Sequence, residues 1–446
     1  MKNFDVKAAI EAGFPQYKKD LTRLIAANSK NAPAVGNMPF GKGIQQALET
    51  ALDVAKSFGL RTFIDPDGYY GYAEIGEGEE MLGILGHLDV VPADDTAPWH
   101  TPPFELTEKD GKLYGRGASD DKGPTLAALY ALKILSDSGA KLNKRVRFIF
   151  GTDEESLWRG VKKYTENEEH PTYGFTPDSS FPLIYAEKGL VEYNLVTHDT
   201  VAIDFTGGSA YNAVAARAEV PYSQAVAAAM DSLGYAYTKE GDKLVAQGVA
   251  AHAMAPETGV NAILHLAEAL VLAGETGDLL AFVTEKAMNP LGIDIFGDVS
   301  DEMSGHLKLN VGVADFKPGM QKIGIDIRFP VTYPKEKVDK ALAAAAKPYG
   351  VKVEGFDYLR ALYVDVNTPL IRRLMQAYQD VTGDTASQPL AIGGATYARS
   401  MDNIVAFGAT FPGAEKTEHQ ANEYAVISDL KKAMEVYVRA FELLAT

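Results

Sequence analysis

The run Met81-Leu-Gly-Ile-Leu-Gly-His87-Leu-Asp89-Val-Val91 is short, almost wholly apolar, and interrupted only by a histidine and an aspartate near its end. A half-exposed strand alternates polar and apolar residues. A strand without that alternation is buried on both faces, as in a mostly parallel sheet covered by helices. Residues 146–150 and 183–186 read the same way. Between the first two strands Pro124 stands where the first turn of a helix belongs, and Leu126, Leu129, Leu132 and Leu135 follow at near-helical spacing. This β, α, β alternation predicts an α/β domain with helices on both faces of a mostly parallel sheet. Upstream, residues 5–27 and 41–58 mix apolar and charged positions at helical spacing, which predicts two opening helices. Beyond Gly189 the pattern changes to alternating strands over 191–196, 201–205, 307–313 and 322–327, with a helix over 260–272. A helix over 368–381 and a strand near 404–407 return to the first style. The expected organisation is a discontinuous first domain of residues 1–187 and 363–446, interrupted by an inserted α+β domain of residues 188–362.

Composition narrows the chemistry. With 43 Lys+Arg against 60 Asp+Glu the net charge is −17, which repels phosphate backbones and anionic lipid, so neither nucleic acid nor a membrane is an expected partner. Cysteine is absent, which excludes disulfides, thiolate ligands and cysteine nucleophiles together. Any metal must therefore be held by histidine and carboxylates. No apolar signal core or long apolar run occurs, so a cytoplasmic location is expected. The phosphate-binding G-x-x-x-x-G-K-[ST], the nucleophile elbow G-x-S-x-G and the metalloprotease H-E-x-x-H are all missing.

Candidate ligands sit where strands end. His87 and Asp89 are two residues apart, the period that puts side chains on one side of a strand. They fall at a strand's carboxyl end, where functional groups gather in open α/β sheets. A carboxylate beside a metal-bound histidine fixes its tautomer, a role open to Asp89; a loop histidine beside a helix cap is the plainer reading. In Tyr114-Gly-Arg-Gly117-Ala-Ser-Asp120-Asp121-Lys122-Gly123-Pro124 the glycines admit close backbone approach, and Asp120 precedes a helix, as cation ligand or as cap. Asp153, Glu154 and Glu155 directly follow a buried strand, where they repel one another unless a cation neutralises them; an exposed acidic loop is the other reading. Adjacent glutamates also allow one to bind metal while the other moves protons. With Thr176-Pro177-Asp178 and Thr417-Glu418-His419-Gln420-Ala-Asn422-Glu423, the chain offers His87, Asp120, Glu155, Asp178 and His419, a donor set suited to two zinc ions sharing one carboxylate. Manganese or cobalt fits the same donors.

Taken in order, Gly-His87-Leu-Asp89-Val-Val-Pro92, Gly-Arg-Gly-Ala-Ser-Asp120-Asp-Lys-Gly-Pro124, Gly-Thr-Asp-Glu154-Glu155-Ser156, Thr-Pro-Asp178, Ala-Glu-Lys-Gly189, Ala-His252-Ala and Phe-Pro-Gly413 resemble the aminoacylase and carboxypeptidase family of dizinc metallopeptidases, in its PepV-like dipeptidase branch. The resemblance implies that Asp120 bridges two metals, that His87 and Asp178 complete one site and Glu155 and His419 the other. It makes Glu154 the general base and Asp89 the residue that orients His87, and it implies a cis peptide between Asp120 and Asp121. From the inserted domain it implies His252 as donor to the developing oxyanion, with Asn212 and Arg328 reaching the substrate carboxylate. The fork of Arg328, at the end of an alternating strand, suits that partner. Gly393 and Gly394 match the glycine-rich segment that lines the substrate pocket. Two departures stand out: Ala395 replaces a glycine usual there, and Ala-Val-Ala-Ala follows Asn212 where relatives often carry Pro-Asp. His100, His170, His198, His265 and His306 read as structural.

The activity so implied is hydrolysis of the peptide bond of short unblocked peptides, above all dipeptides, by a hydroxide held between two zinc ions. An insert of about 175 residues resembles the doubled lid that replaces a partner subunit in that branch, which implies a monomer rather than a homodimer and very short peptides as substrates. Two rivals remain. One is a zinc-dependent deacylase of N-acyl amino acids, which shares the metal motifs. The other is a non-catalytic metal-dependent peptide-binding protein, which has no use for a free Glu154.

Overall fold

The structure, a computed structural model, describes residues 4–93, 99–198 and 203–446. Two compact units divide the chain: Met1–Tyr185, Val364–Leu390 and Thr396–Thr446 form the first, Ala186–Tyr363 and Ala391–Ala395 the second.

In the first unit the strand Met81–His87 is buried at every residue, as its unbroken apolar run predicts. It lies parallel between Arg145–Gly151 and Tyr173–Thr176, and Ile404–Ala406 continues the parallel set beyond the latter. Gly71–Ile75 and Arg61–Ile64 extend the other edge antiparallel. The helix Lys122–Asp137 packs so near the central strand that a Cβ at Gly86 would lie 1.8 Å from the Thr125 hydroxyl, so only glycine fits there. Two long helices, Val6–Ala26 and Ile427–Ala445, pack against this helix, with Pro369–Thr382 against the latter and Lys42–Ser57 against the antiparallel edge strands. The first is capped by Asp5, whose carboxylate accepts the Ala8 N–H at 3.0 Å, and it buries Ile10, Phe14, Tyr17, Leu21, Leu24 and Ile25 along one stripe. The strand ends at His87 rather than running on to Val91 as expected. Leu88 still donates to the Gly151 carbonyl, but Val90 turns away to pair with Ser29, so Asp89 lies beyond the ladder.

The second unit is an antiparallel sheet of eight strands, running from Tyr237–Glu240 at one edge through the long central pair Lys308–Lys317 and Met320–Phe329 to Gly189–Thr197 and Lys352–Leu359. Period two sorts the residues of its inner strands. Val191, Tyr193, Leu195, Ile323, Ile325 and Ile327 join a core with Ile263 and Leu266, Leu280 and Val283, and Val338 and Leu342 from three helices. Glu192, Asn194, Asp326 and Arg328 alternate onto the other face. The strand expected over 201–205 begins at Phe205; residues 199–202 lie outside the described residues. Residues 391–395, assigned from sequence to the first domain, group with the second unit. Lys188 N–H donates to the Ile392 carbonyl at 3.0 Å and Arg328 to that of Gly393 at 3.2 Å.

Candidate metal centre

Five chain segments of the first unit meet near the carboxyl ends of its parallel strands. His87 closes its strand and is fully buried. Its Nε2 lies 3.0 Å from Asp120 Oδ1 and 3.8 Å from Asp178 Oδ2. The other oxygen of Asp120 lies 3.0 Å from His419 Nε2, which also meets both Glu155 oxygens at 3.0 Å. Asp120 therefore turns one carboxylate oxygen to each imidazole. Its peptide bond to Asp121 is cis. Donor atoms of His87, Glu154 and Asp178 lie within 4.8 Å of one another, and so do those of His87, Asp120 and Glu155. Asp89 meets both His87 and the glutamate loop. The Nδ1 of His87 lies 3.0 Å from the backbone carbonyl of Asp89 and 3.6 Å from its carboxylate. That carboxylate accepts the backbone N–H groups of Glu154 and Glu155 at 3.1 and 3.0 Å, so it holds both glutamates at once.

The electrostatics call for positive charge. Burial, opposed by His87 and reinforced by the Asp178, Glu155 and Asp120 charges, raises the Glu154 carboxyl well above its usual range. Burial likewise pushes Asp178 up to about 7, against its hydrogen bond to His87. The hydrogen bonds to Asp120 and Glu155 raise His419 to about 11. His87 is raised too, its carboxylate partners outweighing the burial that lowers it. Carboxylates packed this closely take up protons unless cations replace them. Imidazole nitrogens and carboxylate oxygens are the donors a divalent ion prefers in the absence of thiolates. The set therefore fits metal.

In the second unit, Val214 N–H donates to the Ala251 carbonyl and Ala253 N–H to that of Asn212, which brings Asn212 beside His252. Nδ1 of His252 accepts the Met254 N–H at 3.1 Å, so its ring proton belongs on Nε2. Partial burial, then the Arg328 charge, lowers its pKa, with Asp326 opposing. Arg328 is buried, and Asp326 takes its Nε and Nη2 at 2.7 and 2.8 Å, so one side of its fork is already occupied. Gly393 accepts from the same guanidinium and lies with Gly394 in the short segment grouped with this unit.

Residues 83–443 match the sequence profile of peptidase family M20/M25/M40. The chain belongs to this family. A relative from Bacillus subtilis (strain 168), named "Putative dipeptidase YtjP", is 37% identical over 433 residues, covering 91% of this chain and 92% of its own. Among solved structures, human carnosine dipeptidase 1 matches with a TM-score of 0.62 at 16% identity over 98% of both chains. The M20 family metallo-carboxypeptidase Sso-CP2 from Sulfolobus solfataricus matches with a TM-score of 0.59 at 18% identity, over 96% of this chain and 99% of its own. These likenesses show the M20 fold, and membership makes the protein a metallopeptidase. Among the described residues no helix is long and apolar enough to cross a membrane.

Around the centre of this M20 peptidase stand residues that the sequence reading left without a role. Asp153, read as one of three clustered carboxylates, is buried against Arg159 (2.7 and 2.8 Å) and Asn31 (3.0 Å), so it shapes the loop and leaves Glu154 and Glu155 to the centre. Asp121 is fully buried; its Oδ2 accepts from His87 N–H at 3.2 Å and from the Thr125 hydroxyl at 2.7 Å. Tyr397 is buried with its ring 6.1 Å from that of His87. Glu423, quoted above only as part of a motif, is a fully buried carboxylate. The three carboxylates lie inside motifs and Tyr397 just beyond the glycine-rich segment, but nothing local in the sequence separates a buried charge from a solvated one.

Proposed function

We propose that this chain is a metal-dependent dipeptidase acting on short unblocked peptides. The observation that carries the reading is the pair of imidazoles, His87 and His419, turned to opposite oxygens of Asp120, with Asp178 and Glu155 at their sides. In this reading Asp120 is shared between two ions, His87 and Asp178 complete one site, and Glu155 and His419 the other. Two divalent cations, zinc first, supply when bound the positive charge that brings the pKa of a water towards neutrality and polarises the peptide carbonyl.

The remaining work belongs to side chains of the protein. Glu154, whose backbone N–H is held by Asp89 and whose carboxylate lies beside His87 and Asp178, takes a proton from the attacking water. The water oxygen bonds to the carbonyl carbon, and charge develops on the carbonyl oxygen. Nε2–H of His252 donates to that oxygen. The C–N bond then breaks, and the amine departs with the proton that Glu154 returns. Those Arg328 donors not held by Asp326 and Gly393 bind the C-terminal carboxylate. Asn212, Gly393 and Gly394 border the peptide. The name of the Bacillus subtilis relative supports dipeptides over N-acyl amino acids, and an intact Glu154 supports catalysis over binding alone. The reading includes a monomer acting in the cytoplasm, with the second unit as lid.

The test is an assay of the metal-loaded protein on a panel of dipeptides, tripeptides and N-acetyl amino acids. Faster turnover of dipeptides is expected. Preference for the acylated compounds would make the protein a deacylase, and metal binding without turnover of either would make it a binding protein.

A further inference from the structure

Glu423 has no exposed surface, yet nothing in the reaction above uses it. Its Oε1 accepts the backbone N–H groups of Gly117 (3.1 Å), Ser119 (2.9 Å) and Asp120 (3.1 Å), and the Ser119 hydroxyl at 3.0 Å. Its Oε2 accepts from Gly117 N–H at 3.1 Å and from the Arg116 guanidinium at 2.7 Å. The Glu423 carbonyl also accepts the Gly115 N–H at 3.0 Å. Gly117 has φ +92°, a left-handed conformation that lets neighbouring N–H groups point at a single anion, as in a backbone nest. Every partner of this carboxylate is a donor. The loop so gathered ends in Asp120, whose oxygens face His87 and His419. His419 itself lies four residues before Glu423 on the same segment.

We propose that Glu423 is a positioning residue of the metal centre: as the anion in the nest of residues 116–120, it fixes Asp120 against the segment that carries His419, so that metal affinity depends on its two acceptor oxygens. This rests on the reading that Asp120, His87 and His419 hold the ions. A ligand shared by two ions tolerates displacements of only about 0.5 Å, and the Asp120 N–H is bonded directly to the carboxylate. Glutamine has nearly the same shape but cannot substitute. Whichever way its amide is turned, its NH2 faces either the Ser119 and Asp120 N–H groups or Arg116, donor against donor. The loop must then move.

The experiment strips the full chain of metal and titrates it with zinc against a chromophoric chelator. The wild type, Glu423→Gln, Ser119→Ala and His87→Ala are compared, with near-UV circular dichroism of each metal-free form as a check on folding. Glu423→Gln is expected to fold and to bind zinc at least about tenfold more weakly, within the roughly 10- to 100-fold range typical of groups that orient metal ligands. Excess zinc should restore part of its turnover. Ser119→Ala, which removes only the hydroxyl bond, should show a smaller loss in the same direction. Wild-type affinity in folded Glu423→Gln overturns the proposal. If that variant does not fold, wild-type affinity in Ser119→Ala overturns it instead. Unchanged binding in His87→Ala would overturn the metal-centre reading itself, whatever the Glu423 variant does.

Discussion

Asp120 and Glu154 are both carboxylates in one buried cluster, and their surroundings give them opposite parts. The hydrogen bonds from His419 and His87, outweighing burial, hold Asp120 well below the usual carboxylate range, so it stays an anion. Glu154 is raised well above that range, first by burial, which suits a group that must accept and return a proton. Replacing Glu154 by Gln keeps shape and removes basicity. Bound metal should be nearly unchanged by elemental analysis, while kcat falls by about 10²- to 10⁴-fold, the usual size of a general-base contribution. Loss of metal in this variant would show that Glu154 is a ligand, which its place beside His87 and Asp178 permits. Asp120→Ala is expected to lose metal and activity together.

Among the elements, the contact between the central strand and the helix Lys122–Asp137 is the tightest constraint on the site. Thr125, the residue that meets Gly86, also bonds Asp121. Gly86→Ala must therefore push away the helix that follows Asp120. A stability loss of about 1–3 kcal/mol is expected, with weaker zinc binding; urea unfolding beside a zinc titration measures both. The sheet of the second unit carries a different stress. Glu192 pairs in register with Asp326 on one side and Asp357 on the other, a row of like charges. Burial, then those two carboxylates, lifts Glu192 from 4.5 to about 7, with Arg328 opposing. A carboxyl raised on folding favours the folded state below its unfolded pKa and loses that contribution as pH climbs through the folded value. Glu192→Gln should consequently raise Tm more at pH 8 than at pH 5 by scanning calorimetry. An equal shift at both would remove the charge argument.

At the scale of the whole molecule, the proposed ligands all belong to the first unit, while the second has an apolar core of its own. Ions that bind only the folded state stabilise what they bind, by about 2.7 kcal/mol at a hundredfold excess over Kd. Adding a chelator is expected to lower the unfolding transition of the first unit and leave that of the second in place. Calorimetry of the full chain, with a separately expressed fragment of residues 186–363 to mark the second transition, tests this. An equal downward shift of both transitions counts against it.

Much was legible in the chain because it depends on near neighbours. The apolar run from Met81, the leucines after Pro124 and the alternation after Gly189 mark a strand buried on both faces, a helix and a further strand, and each element forms, though the first stops at His87, short of Val91. The want of cysteine left only imidazole and carboxylate as donors, and the order of motifs pointed to the M20 family. What no local pattern holds is which charges are buried and which distant group answers them. His419 and Glu155 are 264 residues apart in sequence. Asp153 is neutralised by Arg159, Asp89 turns to the Glu154 and Glu155 amides, and Glu423 closes the loop of Asp120. Desolvation makes an unpaired buried charge costly, so each partner is chosen by packing, and packing exists only once the chain has folded.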